Sequence, residues 1–441
     1  MPAHATTRSS SLPRASLRET LTFLSGVVLP LLGKGVILRR PPAVDLAQRL
    51  KLDKRAVGIV QRLRDRHGPG PLLLPVPLHP YALVLSADHA SRILAAAPTP
   101  FTPASDEKRS ALNHFEPHGL LISGERGRAL RRPFNEAVLE TPCPLHHLAP
   151  RFIAVVEEEA AALADEAKAA GELDWPRFAA AWWRMGRRVM FGDEAREDHA
   201  LTDMLARLRA DANWAFLFPR RRRLRARFEE RLATHLDRAE PGSIAEVIAR
   251  MPAQPGTDPL HQVPQWLFAL DGPARATFRT LAVLGTHPVA RDRAMQEIAD
   301  GKPDLPYLRA CILDTLRLWP TTPVILRQAT EDVACEGGTI ARGTGVIIYA
   351  PFLHRDAARL PQADRFAPEP WLEGTPERAG LVPFSDGPAR CPGRHLALTL
   401  SSALLAALLR RGFAPKDLEG VGPDQPLPAT LSAYGLRFSP R

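Results

Sequence analysis

The chain has 441 residues, of which 45% are hydrophobic and 24% are charged. This balance is typical of a globular protein with a sizeable core, and it excludes a disordered chain. The four cysteines, at positions 143, 311, 335 and 391, form no Cys-x-x-Cys pair. Their spacing excludes a disulfide scaffold and a four-cysteine zinc module, and it favours a reducing, cytoplasmic setting. The formal net charge of +10 fits nucleic acid, an anionic membrane or an acidic protein as partner, and does not choose among them.

The N-terminal part begins with Met1–Arg18, which lacks the long apolar core of a secretory signal. The apolar stretch Leu21–Leu38 follows, but Pro30, Lys34 and three glycines interrupt it. It is shorter than the roughly 20 apolar residues that a membrane-spanning helix needs. Packing on the protein itself or on a membrane surface is therefore the favoured interpretation. We expect residues 1–52 to form an N-terminal extension and residues 53–441 to form one large domain.

Helical periodicity dominates the rest of the chain and is broken by many of its 44 prolines. After a helix at Asp53–His67, the runs Leu72–Val76 and Tyr81–Leu85 predict a hairpin. Later helices are predicted at Arg151–Ala170, Trp175–Phe191, Leu224–Leu236, Pro264–Thr286 and Arg394–Arg410, with further strands only at Val324–Gln328 and Thr344–Tyr349. The proline-rich stretch Pro361–Pro383 predicts an ordered loop. The fold class is therefore mainly α with a small β region.

The most informative segment places one cysteine in a Gly- and Pro-rich loop directly before a helix. It reads Pro383-Phe-Ser-Asp-Gly-Pro-Ala-Arg-Cys391-Pro-Gly-Arg-His-Leu-Ala397. The helix N-terminus, Arg390 and Arg394 favour the thiolate form of Cys391, which is a good iron ligand. Gly387 and Gly393 let a flat macrocycle approach the backbone, and Phe384 can pack beside it.

The spacing Phe384-x-x-Gly387-x-x-x-Cys391-x-Gly393 resembles the haem-binding signature of the cytochrome P-450 superfamily. In that family the cysteine is the proximal haem ligand, so the resemblance implies that Cys391 binds the metal. It extends over roughly residues 55 to 415 and implies the cytochrome P-450 fold, with residues 53–441 as a single haem-thiolate catalytic domain.

A second family landmark is the Glu-x-x-Arg helix, which Asp314-Thr-Leu-Arg317 resembles. Because Asp is one methylene shorter than Glu, we expect the ion pair to shift or to become less ideal. The family often has an arginine as third partner, and Pro370 stands at that position here.

The resemblance also implies arginines that bind the two haem propionates. Arg327 and Arg131 stand at the corresponding positions. Gly127 replaces the usual His or Trp four residues before Arg131, and Ala389 replaces the usual basic residue two before the cysteine. We expect the adjacent Arg390 or Arg132 to compensate.

The family's oxygen-activation segment, Ala/Gly-Gly-x-Asp/Glu-Thr, falls at Ala269-Leu-Asp271-Gly272-Pro273. Asp271 and Gly272 are the expected catalytic positions: Asp271 matches the acid, and Gly272 replaces the threonine that steers protons. The proton relay is then left to water, to a substrate hydroxyl or to Thr277. Pro273 frees the Ala269 carbonyl and predicts a kink. An alternative is that Asp271 only starts a second helix after a proline break.

The function implied by the resemblance is a haem-thiolate monooxygenase. It would use haem (Fe protoporphyrin IX), O2 and electrons ultimately from NAD(P)H to insert one oxygen atom into a small lipophilic substrate. The sequence has no dinucleotide fingerprint, so electrons would come from a separate ferredoxin or flavodoxin. The expected docking face contains Arg126, Arg128, Arg131, Arg132, Arg390 and Arg394.

The aromatic and basic run Trp214–Arg223 fits a peripheral membrane contact together with Leu21–Leu38, or else a solvated helix start. We expect a cytoplasmic monomer, membrane-associated at most, without a nucleic-acid partner.

Two other functions stay open. Gly272 favours a peroxide-driven peroxygenase, or another haem-thiolate enzyme such as an isomerase or dehydratase, since the threonine is dispensable there. The missing threonine and the incomplete set of propionate ligands also suit a non-catalytic haem protein that senses a ligand.

Overall fold

A computed structural model of the chain describes residues 11–77, 79–374 and 380–440. Helices form most of it. The α-helices are α1 Leu17–Phe23, α2 Leu29–Lys34, α3 Pro41–Arg49, α4 Leu52–His67, α5 Ala87–Ala95, α6 Asp106–Leu112, α7 Glu125–Val138, α8 Ala149–Ala170, α9 Trp175–Phe191, α10 His199–Ala212, α11 Arg222–Arg238, α12 Ile244–Arg250, α13 Val263–Ala269, α14 Asp271–Thr286, α15 Pro288–Ala299, α16 Pro306–Leu318, α17 Ala350–His354, α18 Glu369–Leu372 and α19 Arg394–Arg410.

The strands are short and form three small sheets. They are β1 Leu72–Leu74, β2 Tyr81–Val84, β3 Phe101–Thr102, β4 Leu173–Asp174, β5 Val324–Ala329, β6 Val333–Cys335, β7 Gly338–Ile340, β8 Gly345–Tyr349, β9 Ala414–Pro415 and β10 Arg437–Ser439. The largest sheet has the order β1-β2-β8-β5-β3, and the others are β4-β10-β9 and β6-β7. Only the β2–β8 pair is parallel among the strands described.

The long periodic segments are predicted well. Trp175–Phe191 and Arg394–Arg410 are helices with the predicted ends, and β1 pairs with β2 in the predicted antiparallel hairpin. The prediction that strands return only twice after the hairpin is wrong, because β3, β4, β6, β7, β9 and β10 are also present. Those strands have two or three residues, too few for an alternating pattern. Residues 1–10 and 375–379 lie outside the described residues.

The apolar N-terminal stretch packs on the protein along one face. A π-helical turn, Leu24–Val28, joins α1 to α2, and Phe23, Val27 and Leu31 are buried in the core that the largest sheet shares with α4. The outer face leaves Leu21 and Leu29 more than half exposed. Among the described residues, no helix is both long and apolar enough to cross a bilayer.

The main core lies between α8, α9, α14, α16 and α19. Nearly the whole of α19, from Leu398 to Leu409, is buried, as expected for a helix that is apolar on all sides. Helix α14 crosses this core beside α19 and α16. The N-terminus of α19 and the start of α14 therefore sit on one rigid frame, and both carry residues of the predicted site.

Candidate functional site

The loop that carries Cys391 is held from inside and from a neighbouring helix. The Cys391 N–H donates to Phe384 O (3.0 Å), and the Arg390 N–H donates to Gly387 O (2.9 Å). From α7, Arg128 Nη2 donates to Pro388 O (3.0 Å) and Arg132 Nη1 donates to Arg390 O (2.7 Å). These two arginines are four residues apart and share a helix face, so α7 fixes the loop at two carbonyls.

Burial and the groups around the Cys391 thiol act on its pKa in opposite directions. Burial raises its pKa above the usual value, while the Gly393 N–H, Arg132 and Arg394 lower it by less. Arg390, expected to favour the thiolate, instead pairs with Asp386 at 3.0 Å. The Gly393 N–H at the helix end and Arg394 thus favour the thiolate, as predicted, whereas desolvation of the buried thiol opposes it. A bound metal ion would deprotonate such a thiol outright.

The two glycines of the loop have different reasons to be glycine. Gly387 has φ +65°, and a Cβ there would lie 2.2 Å from the Leu94 carbonyl oxygen at the end of α5. A Cβ on Gly393 would meet Leu139 Cδ1 at an ordinary 3.7 Å. Close packing of the loop on α5, and not only access for a cofactor, therefore requires Gly387. The Phe384 side chain packs partly buried against the main core.

Three cations lie beside this loop without a carboxylate bound to them in the described part of the chain. Arg327 is buried on the inward face of β5, where its Nη2 donates to Ser385 Oγ (3.0 Å); its Nε has no hydrogen-bond partner among the described residues. Lys108 Nζ donates to the carbonyls of Pro103 and Leu326, both at 3.0 Å. Arg128, described above, is the third. We call these three residues the loop cations.

Burial and mutual repulsion act on all three loop cations. Burial, and then the charge of Arg128, lowers the pKa of Arg327 to about 10. Burial and Arg327 hold the pKa of Lys108 well below its usual range, although Glu107 opposes this. Burial and Arg132 lower the pKa of Arg128 to about 10. Buried charges of one sign need a counter-charge, so this cluster is built for an anion.

Arg131, the other predicted propionate ligand, is engaged elsewhere. Its Nη2 donates to Asp258 Oδ2 (2.6 Å) and its Nη1 donates to Ser123 Oγ (2.8 Å). Asp258 also contacts His118 Nδ1 at 3.0 Å. Helix α7 thus directs Arg128 and Arg132 to the cysteine loop, and Arg131 to a separate ion pair.

The predicted oxygen-activation segment falls at a helix break. Helix α13 ends at Ala269 and α14 begins at Asp271, in agreement with the kink predicted from Pro273. Asp271 is also the first residue of a second helix, as the alternative interpretation had it. Its carboxylate pairs with Arg209 of α10 and lies 4.0 Å from Arg275 Nη1.

The hydroxyls near this break have fixed partners. Thr277 is buried and donates to Pro273 O (2.9 Å), so its hydroxyl is bound to its own helix. A Cβ on Gly272 would lie 3.2 Å from Thr321 Oγ1. Thr321 is therefore the hydroxyl residue nearest the position where the family has its threonine.

The Asp314–Arg317 pair is complete despite the shorter acid. Arg317 Nε and Nη2 donate to the two oxygens of Asp314 at 2.6 and 3.1 Å, and both side chains are buried. Asp314 also accepts from the Ala367 N–H (2.8 Å) and from Trp371 Nε1 (3.0 Å). The expected weakening is not seen, because the indole of Trp371 supplies a third partner beside Pro370.

Sequence reasoning missed several residues around these groups. Lys108 lies near the start of a helix among acidic and basic residues, a pattern typical of an exposed helix. Arg209 lies far from Asp271 in the sequence, so their ion pair could not be predicted. Glu116 is fully buried before α7, and the Gln265 amide of α13 can donate to its Oε2 at 2.8 Å. Burial raises the pKa of Glu116 well above its usual range. A charged residue gives no sequence signal that it is buried.

Comparison with known proteins addresses the same region. A family model described as Cytochrome P450 matches residues 274–432, which include Asp314, Arg317, Arg327 and Cys391. Cytochrome P450 4c3 of Drosophila melanogaster is 33% identical over 151 residues, which are 30% of this chain and 28% of that protein. Cyclooctat-9-en-7-ol 5-monooxygenase of Streptomyces melanosporofaciens is 32% identical over 155 residues, 31% of this chain and 34% of that protein. The matched segment thus spans about a third or less of these relatives.

Solved structures resemble the chain over most of its length. A crystal structure of a cytochrome P450 (CYP102L1) aligns with a TM-score of 0.69 and 21% identity, covering 87% of this chain and 98% of that one. The cytochrome P450DA heme domain aligns with a TM-score of 0.70 and 17% identity, covering 88% and 92%. At these identities the likeness concerns the fold. Together with the family match across the cysteine loop and the Asp314–Arg317 helix, this likeness supports membership of the cytochrome P450 superfamily.

Proposed function

We propose that the chain is a haem-thiolate monooxygenase that inserts one oxygen atom from O2 into a small lipophilic organic substrate. The observation that carries this proposal is the position of the loop cations. Two of them bond directly to the loop of Cys391, through Ser385 Oγ and Pro388 O. A metal ligand and an anion site thus lie side by side, as a haem with two propionates requires.

The residues present fit the haem that superfamily membership implies. Cys391 would bind the iron, and Arg327, Arg128 and Lys108 would hold the propionates. Two observations support this assignment. A propionate could accept a hydrogen bond from the unpartnered Arg327 Nε, and the two propionates together would neutralise most of the charge of the three loop cations. Arg131 would join them only by leaving Asp258.

When bound, a thiolate-ligated haem supplies the activation of oxygen and its insertion into a C–H bond. The chain's own part is to hold the thiolate, neutralise the propionates and control protons and water. Arg132 and Arg128 keep the cysteine loop in place through its carbonyls. The buried Asp314–Arg317 pair holds the preceding segment, since Arg317 also donates to Ala363 O (2.8 Å) and Arg365 O (2.6 Å).

Proton delivery is the step in which this chain departs from the family pattern. The Asp271 carboxylate is paired with Arg209, and Thr277 is bonded to Pro273 O. Gly272 has no hydroxyl. Protons at this position would therefore pass through water or a substrate hydroxyl, with Thr321 the protein hydroxyl nearest to Gly272.

This arrangement favours a second candidate function, a peroxide-driven peroxygenase, because peroxide brings its own protons. The two are separated by assaying Gly272→Thr with peroxide and with a reductase system, using Gly272→Ala as the control for added volume near Thr321. If oxygen from O2 is used and the relay is limiting, Thr raises reductase-driven turnover relative to Ala. An unchanged ratio between the two assays favours the peroxygenase.

Electrons are proposed to come from a separate ferredoxin or flavodoxin. The expected basic docking face is smaller than the sequence suggested. Arg128 is buried, Arg132 pairs with Glu136 at 2.6 Å, and Arg390 pairs with Asp386. Arg126 is exposed on α7 and remains a candidate contact for an acidic partner.

A peripheral membrane contact is part of the proposal for a lipophilic substrate. Phe216 and Leu217 are about 70% exposed in the segment between α10 and α11, directly before the arginines at 220–223. The segment's neighbour in space is the N-terminal part, since Arg40 lies over the Trp214 ring at 4.8 Å. Sedimentation with anionic vesicles tests this contact: Leu217→Ser should reduce binding, whereas equal binding by both proteins would contradict it.

The central test is the reduced, carbon monoxide difference spectrum of the haem-supplied protein. Wild type and Cys143→Ala, which changes an exposed cysteine, should give the same long-wavelength Soret band. Cys391→Ala should lose that band. A wild type that binds no haem, or that matches Cys391→Ala, would overturn the assignment.

A further inference from the structure

A second group of buried and half-buried cations lies around the 319–321 segment. Residues 35–40, which we call the strap, run from α2 to α3. Strap residue Arg39 donates through Nη1 to Gly35 O (2.7 Å) and through Nη2 to Thr321 O (3.1 Å). Arg279 of α14 is buried and donates to Leu431 O (2.7 Å) and Trp319 O (3.2 Å). Two guanidinium groups thus bind carbonyls two residues apart in one segment.

Arg275 completes the group. It lies one helical turn before Arg279 on the same face of α14, and its side chain is only 11% exposed. Its one ion-pair contact in the described part of the chain is the 4.0 Å approach to Asp271, which is already paired with Arg209. We call Arg39, Arg275 and Arg279 the strap cations.

The strap cations repel one another in a region that is largely shielded from solvent. Burial, and then Arg275, lowers the pKa of Arg39 to about 10 and that of Arg279 to about 9. The nearby carboxylate of Asp53 is bound to Lys34 and accepts from Thr430 Oγ1 (2.6 Å). Within the described residues, none of the strap cations makes a hydrogen bond to a carboxylate.

The strap cations resemble the loop cations in two respects. Arg39 and Arg279 donate to backbone carbonyls, and no strap cation makes a hydrogen bond to a carboxylate of the described residues, although Asp53 and Asp271 act on Arg39 from a greater distance. Haem propionates account for the loop cations. They do not account for the strap cations, of which Arg39 binds Gly35 O and Thr321 O, and Arg279 binds Trp319 O and Leu431 O. A bound anion would offset the desolvation and the mutual repulsion of these charges.

The position of the group suggests where that anion comes from. Arg39 bonds to the backbone of Thr321, whose Oγ1 would lie 3.2 Å from a Cβ on Gly272. The strap cations thus border the position at which the proposed function places oxygen activation. An anion held there would anchor one end of a molecule whose other end reaches the reacting centre.

We propose that Arg39, Arg275 and Arg279 bind an oxyanion, a carboxylate or a phosphate, carried by the organic substrate. This inference rests on the proposed function for its site, and it names the substrate class: a lipophilic molecule with an acidic end. Planar guanidinium groups bind either oxyanion through paired N–H donors.

Binding of matched probes to the haem-loaded, full-length protein tests the proposal. Calorimetry and thermal unfolding are measured with decanoate, decyl phosphate and decanol, which share a chain and differ in the end group, and with acetate and inorganic phosphate. We expect one or both acidic probes to bind at least about tenfold more tightly than decanol, and the better one to identify the oxyanion.

Arg275→Gln should remove most of this preference, whereas the control Arg250→Gln, on an exposed arginine of α12, should keep it. Without ligand, Arg275→Gln should be at least as stable as wild type, because it relieves repulsion. A preference that persists in Arg275→Gln, or decanol binding as tightly as the acids, would overturn the proposal. If phosphate or acetate stabilises the protein while the chain probes do not differ, the site holds a free anion and the substrate assignment is wrong.

The carbon monoxide spectrum of the same samples keeps the two proposals separate. Arg275→Gln should retain the wild-type spectrum, so a lost preference with an intact spectrum concerns only the anion site. A wild type that prefers the acids but lacks the haem-thiolate spectrum would refute the proposed function and leave the anion site standing.

Discussion

Replacing Asp314 by Asn should destabilise the protein far more than a typical surface change. Four donors converge on this carboxylate: Nε and Nη2 of Arg317, the Ala367 N–H and Trp371 Nε1, at 2.6 to 3.1 Å. Asn offers one acceptor oxygen, and its NH2 group would face donors. Because Asp314 and Arg317 are each 1% exposed, the change leaves a guanidinium buried without its counter-charge. Breaking such a buried pair costs about 3–5 kcal/mol.

The measurement is urea unfolding followed by far-ultraviolet circular dichroism, with Asp292→Asn as control because Asp292 is exposed on α15. The control should lie within about 0.5 kcal/mol of wild type. Trp371→Phe should cost about 1.5–3 kcal/mol in the wild-type background, as expected for a hydrogen bond to a charged group. It should cost much less in Asp314→Asn, since its acceptor is then changed. A loss below about 1 kcal/mol for Asp314→Asn would show that the pair is not what holds this region.

Three further predictions concern the site. Gly387→Ala should lower the free energy of unfolding by about 2–5 kcal/mol in the same assay, because φ is +65° and the Cβ would lie 2.2 Å from a carbonyl oxygen. The control Gly393→Ala should stay near wild type, and equal effects of the two substitutions would contradict this prediction. Lys108→Met should speed haem transfer to apomyoglobin while leaving the Soret position unchanged, and an unchanged transfer rate would remove Lys108 from the propionate site. The pKa of Glu116 is raised in the folded protein, so the folded state holds this proton more tightly than the unfolded state does. The free energy of unfolding is therefore highest below the unfolded pKa of about 4.5, and it falls as the pH rises towards the pKa of the folded state. Glu116→Gln should flatten that fall above about pH 5, and parallel stability curves for the two proteins would refute the prediction.

The fold could be predicted from the sequence where the hydrophobic pattern extends over many residues. The apolar repeat of Arg394–Arg410 and the cysteine loop before it are local patterns, and both lie where they were predicted. The two- and three-residue strands are too short to show an alternating hydrophobic pattern, so they could not be predicted. The ion pairs were harder for a different reason. Arg209 meets Asp271 across 62 residues of chain, and Lys108 meets the Leu326 carbonyl across 218. The sequence of a helix does not show which of its charged side chains become buried by contacts with distant parts of the chain.

The strap has a consequence for the order in which the molecule can be completed during synthesis. Arg39 binds the carbonyl of Thr321, which follows it by 282 residues. At about 5–20 residues per second, the ribosome delivers that partner roughly 15–60 seconds after the strap itself. Throughout that interval Arg39 lacks the 319–321 segment, and for most of it α14 is absent as well. The strap is thus synthesised long before its partner, so its contact with Thr321 is among the later tertiary contacts that the growing chain can form.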